Sequence, residues 1–362
     1  MTAPLSDLPV NLFDLERLAL ARLDGAAADY IAGGAEDEIT LRTNRQAFEQ
    51  LALRPRVLSD VSERRLGTTV LGSEVALPVL VAPTGFHRLA HPEGELATAR
   101  ATADAGTIMV LSTFSTVSLE EVSSAAKGRR WFQLYVHRDR GLTRGLVERA
   151  AAAGYSALVL TVDVPVLGRR ERDVRNGFAL PPALRVANFD LAQSEALHAA
   201  EEDSGLAAFH RGLREPSFSW KDLDWLASLC PLPIVLKGVL RGDDATVAAD
   251  HGVWAMIVSN HGGRQLDGAI ASMRALPEVV EAVGHRVEVL VDGGVRRGSD
   301  VIKALALGAR AVLIGRPVLW GLAWSGEQGV ARVFQMLRDE LDTAMALCGA
   351  SSVGDITRDL VV

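Results

Sequence analysis

Short apolar runs recur along the chain, each followed by a stretch with helical periodicity. The runs are 78–82, 107–111, 131–136, 157–162, 233–237, 255–259, 287–291 and 310–314. Each is apolar without alternation, the pattern of a strand buried on both faces of a parallel sheet. Between them, 93–105, 119–126, 140–153 and 298–307 space their apolar residues as amphipathic helices do. Eight strands alternating with helices predict an α/β fold, a closed (β/α)8 (TIM) barrel rather than an open doubly wound sheet. Residues 1–77 add two helices, 11–30 and 36–50, expected to cap the barrel, with no linker to set them apart. One gap breaks the rhythm: between 162 and 233 lies more chain than a crossover needs. Its centre, 188–216, is rich in Ala, Glu, Asp and His. An insertion after the fourth strand sits at the catalytic mouth of such a barrel, so 177–217 reads as a lid or as a helical excursion without a role. The expectation is one domain over 1–362: a helical segment 1–77, a barrel 78–348 and the insertion within it.

Barrels of this kind build their sites at the C-terminal strand ends. Those positions hold Thr84, Ser112, Gln133, Tyr135, Thr161, Asp163, Lys237, Ser259, His261, Asp292, Gly315 and Arg316. Packing strands gives no reason for a lysine or a histidine there, so the concentration points to chemistry. After the last two strands come Asp292-Gly293-Gly294-Val295-Arg296 and Gly315-Arg316-Pro317. Glycine turns expose backbone N–H groups, a following helix adds its positive end, and two arginines stand beside them; this predicts a phosphate site. Lys237 closes an apolar strand and admits three readings: a snorkelling surface lysine, a Schiff-base nucleophile, or a fixed cation beside an anionic cofactor. His261 is flanked by glycines and followed by Arg264, which can clamp a carboxylate bidentately. Asp163, at another strand end, is placed to orient the ring. His87, His91, His137, His198, His210, His251 and His285 lack such company and read as structural or surface residues. None shows metal-ligand spacing, so no metal is expected.

Composition narrows the class without adding chemistry. The 362 residues are 48% hydrophobic and 23% charged, with a net charge of −7. That describes a soluble globular protein and argues against nucleic acid as partner. The apolar runs fall far short of the ~20 residues a membrane helix needs. Two cysteines, Cys230 and Cys348, make neither a disulfide framework nor a zinc site. The opening residues carry no signal-peptide pattern and the last ones no peroxisomal address, so a cytoplasmic location is expected.

Taken together and in order, several segments resemble the FMN-dependent α-hydroxy acid oxidase and dehydrogenase family, the group of glycolate and lactate oxidases, from about residue 14 onward. They are the stretch from Asp29-Tyr30, Ala82-Pro83-Thr84-Gly85, His91-Pro92-Glu93-Gly94-Glu95, Phe132-Gln133-Leu134-Tyr135, Thr161-Val162-Asp163 through Arg170, Leu236-Lys237-Gly238, Ser259-Asn260-His261-Gly262-Gly263-Arg264, and Asp292-Gly293-Gly294-Val295-Arg296. The resemblance implies FMN as cofactor. Pro83, Thr84, Gly85, Ser112, Gln133, Thr161 and Ser259 would line its ring and ribityl chain, with Lys237 as the cation beside the ring. Asp292, Gly293, Gly294, Arg296, Gly315 and Arg316 would hold the phosphate end. Tyr30, Arg170 and Arg264 would bind the substrate carboxylate, Tyr135 the hydroxyl, and His261 with Asp163 would take the proton. Phe114 stands where glycolate oxidases carry a tryptophan and would set substrate size. The implied reaction is oxidation of a small (S)-2-hydroxy acid, glycolate or lactate in type, with O2 as acceptor and H2O2 as product. A dehydrogenase using another acceptor, or an enzyme of larger acids such as mandelate, is the alternative. The acidic stretch at 200–205 favours the soluble oxidase over quinone-linked relatives, and the family's habit of tetramers or octamers implies a homo-oligomer.

Overall fold

The computed structural model describes residues 8–189, 195–198 and 204–362. A hairpin of β1 (Thr68–Val70) and β2 (Ser73–Val75) precedes eight barrel strands. These are β3 (Val79–Val81), β4 (Ile108–Leu111), β5 (Arg129–Leu134), β6 (Leu158–Thr161), β7 (Ile234–Val239), β8 (Ala255–Val258), β9 (Glu288–Asp292) and β10 (Val312–Ile314). They pair in parallel in chain order, and β10 closes the barrel on β3. The expected (β/α)8 architecture is the observed one.

Residues along a strand alternate in direction, so every second one faces the barrel axis. Leu80, Val110, Trp131, Val159, Val235, Ile257, Leu290 and Leu313 do so and pack as one apolar cluster. Two residues further along six of these strands lie Ser112, Gln133, Thr161, Lys237, Ser259 and Asp292, all buried. The same inward face is thus apolar through the body of the barrel and polar at its C-terminal mouth. The other mouth is plugged by the hairpin, whose Val70 and Val75 join the apolar cluster. Its strands of three residues are too short for periodicity to reveal, and only helices were expected before residue 78.

The N-terminal segment also departs from expectation in detail. Residues 11–30 form two helices, Leu12–Leu20 and Gly25–Ala32. The second starts at Asp24, whose carboxylate accepts from Ala27 N at 2.8 Å; an Asp able to cap is what ends one helix and begins the next. The helix expected at 36–50 runs Ile39–Glu49, because Glu38 adopts a left-handed φ of 59°. The C-terminal element Arg316–Cys348 bends where Ser325 and Gly326 leave helical geometry, and it packs on helices Gly94–Asp104 and Leu12–Leu20.

Within the insertion, the turn Glu195–His198 and helix Gly205–Leu213 precede Trp220–Leu229, the outer helix of the fourth unit. Much of the acidic stretch at 200–205 lies outside the described residues. The insertion returns along the end of β5: Arg138 N donates to Leu213 O at 3.0 Å and Glu215 N to Val136 O at 3.4 Å. Where β7 passes the site its register with β8 shifts between Lys237 and Val239. Gly238 there has φ +113°, and a Cβ would lie 2.6 Å from Asp163 Cβ. Only glycine lets β7 and the Asp163 loop approach this closely.

Candidate active site

A cleft opens at the C-terminal mouth, and most of the expected residues line it. On its wall are Tyr30, Pro83, Thr84, Gly85, Ser112, Phe114, Tyr135, Arg170, Lys237, His261, Arg264, Asp292, Gly293, Gly294, Arg296, Gly315 and Arg316. Gln133, Thr161, Ser259 and Asp163 are not on the wall but reach it through partners or sit in the same polar ring.

At the centre, His261 Nδ1 stands 2.9 Å from Asp163 Oδ1. His261 has φ +58° and begins a left-handed run with Gly262 and Gly263, while its backbone N–H donates to Ser259 Oγ at 3.1 Å. Strain of this kind in a non-glycine residue persists where the surroundings fix it, and functional sites are where it collects. Burial pushes the imidazole below its ordinary pKa; Asp163 pulls upward but does not win, and Lys237 and Arg170 add to the depression. Burial likewise pushes Asp163 up, yet His261, Lys237 and Arg214 together hold it below the usual carboxylate range. The pair at neutral pH is therefore a neutral imidazole on an ionised carboxylate.

Arg264 and Arg170 face the cleft from one side. Arg264 Nη1 donates to Tyr30 O and Gly33 O at 2.7 and 2.9 Å, and its guanidinium stacks 4.9 Å from the Tyr30 ring centroid. Arg170 is buried, and burial followed by repulsion from Arg264 lowers its pKa to about 10. Neither makes an ion pair with a carboxylate within 4 Å among the described residues. Asp173 is the nearest carboxylate to act on both, and two adjacent cations without a direct ion pair make a place for an anion. Burial raises the Tyr30 and Tyr135 phenols, so both remain hydrogen-bond donors at neutral pH. Phe114 closes the neighbouring wall, with ring centroids 5.0 Å from Tyr135, 5.1 Å from His210 and 6.4 Å from Phe86.

The other end of the cleft is the glycine-rich one. Gly293 and Gly294 both have φ +94°, and a Cβ at Gly294 would meet Asn44 O at 2.5 Å. The helix N-terminus expected to serve this end is not free: Asp300 accepts from Arg296 N and Arg297 N, and Glu340 from Gly298 N. The N-terminus that opens on the cleft is that of Arg316–Cys348, at Gly315. Arg296 is half-buried with its guanidinium 4.6 Å from the Trp320 ring centroid, and desolvation lowers its pKa to about 10. Arg316 donates to Ile31 O, Gly262 O and Gly33 O at 3.1, 3.0 and 2.8 Å. It therefore joins this end to the Tyr30 helix and the His261 loop. Glu16, half-buried, faces both arginines and is raised by burial.

Several contributors escaped the sequence reading. His210, taken as structural or surface, lines the cleft with Leu206 from the insertion helix; their i, i+4 spacing on one helix face was the available signal. His87 fixes Thr84, with Thr84 Oγ1 2.7 Å from its Nε2. Arg214 lies over the Tyr135 ring.

Besides Asp163 Oδ2, three buried polar atoms of the strand-end ring lack partners among the described residues: Gln133 Nε2, Thr161 Oγ1 and Asp292 Oδ1. A buried amide, hydroxyl and carboxylate left open around one ring of strands call for a ligand that brings both donors and acceptors. Lys237 is the cation at its edge: Nζ donates to Ser259 Oγ at 2.8 Å and lies 3.3 Å from Asp292 Oδ2. Burial pulls its pKa down, but Asp292 and Asp163 outweigh this and keep it charged. With the glycine turns, Arg296 and Arg316 one end away, the residues fit a flavin mononucleotide. Among the described residues there is no metal-binding cluster and no helix long and apolar enough to cross a membrane.

Comparison with known proteins agrees. The chain is 59% identical over 352 residues to the L-lactate oxidase of Nostoc sp., covering 96% of both chains. It is 52% identical over 356 residues to a peroxisomal (S)-2-hydroxy-acid oxidase of Oryza sativa subsp. japonica, covering 98% of this chain and 96% of the other. A crystal structure of mandelate oxidase with (S)-4-hydroxymandelic acid superposes with a TM-score of 0.94 at 46% identity, over 98% of each chain. The model of the FMN-dependent dehydrogenase family matches residues 19–362, and the chain belongs to that family.

Proposed function

We propose that the protein oxidises a small (S)-2-hydroxy acid, of glycolate or L-lactate size, to the 2-oxo acid and delivers the electrons to O2 as H2O2. The observation that carries this reading is that one cleft brings together a neutral His261 imidazole on the Asp163 carboxylate, the Arg170 and Arg264 cations and the polar strand-end ring. FMN, when bound, accepts the two electrons of the C–H bond and passes them to O2. Gln133, Thr161 and Ser259 in the polar ring, with Pro83, Thr84, Gly85 and Ser112 on the wall, would hold its ring and ribityl chain. Lys237 would lie against the ring as fixed positive charge, and Asp292, Gly293, Gly294, Arg296, Gly315 and Arg316 would hold the phosphate end.

Arg264 and Arg170 bind the substrate carboxylate and Tyr30 helps orient it. Tyr135, a protonated phenol, donates to the substrate hydroxyl. His261 removes one proton as two electrons leave the substrate carbon, and Asp163 stabilises the imidazolium. A positioned base is worth roughly 10²–10⁴ in rate. The balance is one hydroxy acid and one O2 consumed, one oxo acid and one H2O2 formed. The side chains of Phe114, Leu206 and His210 bound the space left for the substituent, which suits a small one. Helix Gly205–Leu213 reaches the cleft from the insertion with Leu206 and His210, so this helix is assigned a covering role. A cytoplasmic homotetramer or octamer belongs to the same proposal, and light scattering of the purified protein tests the assembly.

The deciding experiment is the visible spectrum of the purified holoprotein under nitrogen on adding glycolate, (S)-lactate or (S)-mandelate, followed by air. Bleaching by a small acid, with recovery and H2O2 on aeration, is expected. Preference for mandelate moves the substrate class upward, recovery only with an added dye makes it a dehydrogenase, and absence of bleaching by any acid overturns the reading.

A further inference from the structure

Arg214 is a buried cation that the mechanism above leaves unused. It ends helix Gly205–Leu213, 7% exposed, with its Cζ 3.9 Å from the Tyr135 ring centroid. Its Nη2 donates to the backbone carbonyl of Val164, the residue after Asp163, and its Nη1 has no partner among the described residues. The backbone around it is tied to the segment that follows β5 and Tyr135: Arg138 Nε donates to Arg214 O at 3.0 Å, Arg138 N to Leu213 O at 3.0 Å and Glu215 N to Val136 O at 3.4 Å. Desolvating a guanidinium costs several kcal/mol, and one carbonyl and one ring face repay only part of that. An apolar side chain of the same volume would serve packing without that cost, but it would remove one of the charges that hold Asp163 ionised.

We propose that Arg214 is a positioning residue for the oxidation: it pins the Tyr135 ring by cation–π contact, ties it to the loop that presents Asp163, and supplies fixed positive charge beside both. The phenol is thereby held at the distance the substrate hydroxyl requires while the base pair is held by the same clamp. The insertion acquires a role besides covering the cleft, because its last helical turn carries the clamp. This rests on the assignment of Tyr135 to the substrate hydroxyl.

The test is a double-mutant cycle on FMN-loaded protein, read by stopped-flow reduction with (S)-lactate under nitrogen, with FMN content measured for each variant. Arg214→Met is expected to slow reduction at saturating lactate about thirtyfold, the value of a desolvated cation–π contact, with the half-saturating concentration moved less than threefold. Arg214→Lys, which keeps a cation over the ring, should recover part of the loss. In a Tyr135→Phe background, which lacks the hydroxyl to be aimed, Arg214→Met should cost only about threefold, the part that acts through the Asp163 loop. Equal cost in both backgrounds, no cost in either, or a lysine variant no better than methionine overturns the proposal. Should Arg214→Met fail to retain FMN, the Arg214→Lys change measured in the two Tyr135 backgrounds decides by the same comparison. If the parent protein is not reduced by any hydroxy acid, it is the functional reading that fails, before Arg214 is reached.

Discussion

His261 Nδ1 meets Asp163 Oδ1 at 2.9 Å across two different strand ends, and the second oxygen of that carboxylate has no partner among the described residues. The pairing fixes the ring with its other nitrogen toward the cleft. Because burial depresses the imidazole, the base form is present at neutral pH and is lost only as pH falls through a value below the ordinary one. The rate of reduction by substrate is therefore expected to be flat around pH 7 and to decline on the acid side, with a midpoint below about 6.5. Asp163→Asn removes the one influence that raises the ring. The acid limb should move to still lower pH while the plateau drops by about 10² or more, since the imidazolium formed in the step loses its counter-charge. A limb that moves to higher pH would contradict the pairing.

Lys237 and Asp292 form a second buried pair, 3.3 Å apart with both side chains under 10% exposed. Removing only the cation leaves a buried carboxylate uncompensated, at a cost of about 3–5 kcal/mol. Lys237→Met should melt at a lower temperature than the parent and bind FMN at least tenfold more weakly by fluorescence titration. Adding Asp292→Asn should restore much of the melting temperature but not the affinity. Recovery of both together would mean that Lys237 serves only to neutralise Asp292.

The polar ring was legible in the sequence because strand parity is rigid. Once 131, 159 and 235 are inward, so are Gln133, Thr161 and Lys237, and the residues at those positions are chemical rather than structural. His261 was legible through the glycines beside it, which leave room for close approach, and through Arg264 three residues on, while its left-handed φ was not. Arg214 was not, because its partner Tyr135 is 79 positions away and the contact depends on how the insertion returns along β5. Arg316 shows the same limit. Its place beside a glycine turn suggested a phosphate, and nothing local foretold that its guanidinium also reaches Ile31, Gly33 and Gly262. The hairpin at 68–75 was missed because a strand of three residues has no period to read.

Phe114 is packed against Tyr135, Phe86, Phe189 and His210, so its ring is held rather than mobile. A Cβ at Gly85 would come within 3.3 Å of Phe114 Cβ, which leaves the ring little freedom to retreat from a bulky substituent. Phe114→Ala should raise kcat/KM for (S)-mandelate relative to (S)-lactate by about 10- to 100-fold, the scale on which a few methylenes in an apolar pocket discriminate. An unchanged ratio would place the substrate's substituent elsewhere.

His137 gives a prediction about stability rather than catalysis. It is wholly buried, and its ring nitrogens make no well-formed hydrogen bond among the described residues, with the Leu213 backbone the one group that favours the charged ring from close by. Burial, reinforced by the nearby Arg214, lowers its pKa to about 4. The unfolded chain binds a proton there near pH 6.5 while the folded one refuses it. Stability is thus fully present above about 6.5 and is lost as pH falls toward 4, by about 3 kcal/mol over the whole window. His137→Phe removes the titration and two unsatisfied polar atoms while filling the same space, edge-on to the Phe189 ring 5.3 Å away. Its backbone N–H keeps the bond to Thr143 Oγ1. The variant should lie within about 1 kcal/mol of the parent at pH 7 and be the more stable of the two by about 2 kcal/mol at pH 5. Urea unfolding at the two pH values measures the difference. The remaining acid sensitivity belongs to His87, His210 and His261, which burial also depresses. Parallel loss of stability in variant and parent between pH 7 and 5 would show that His137 takes up its proton in the folded state.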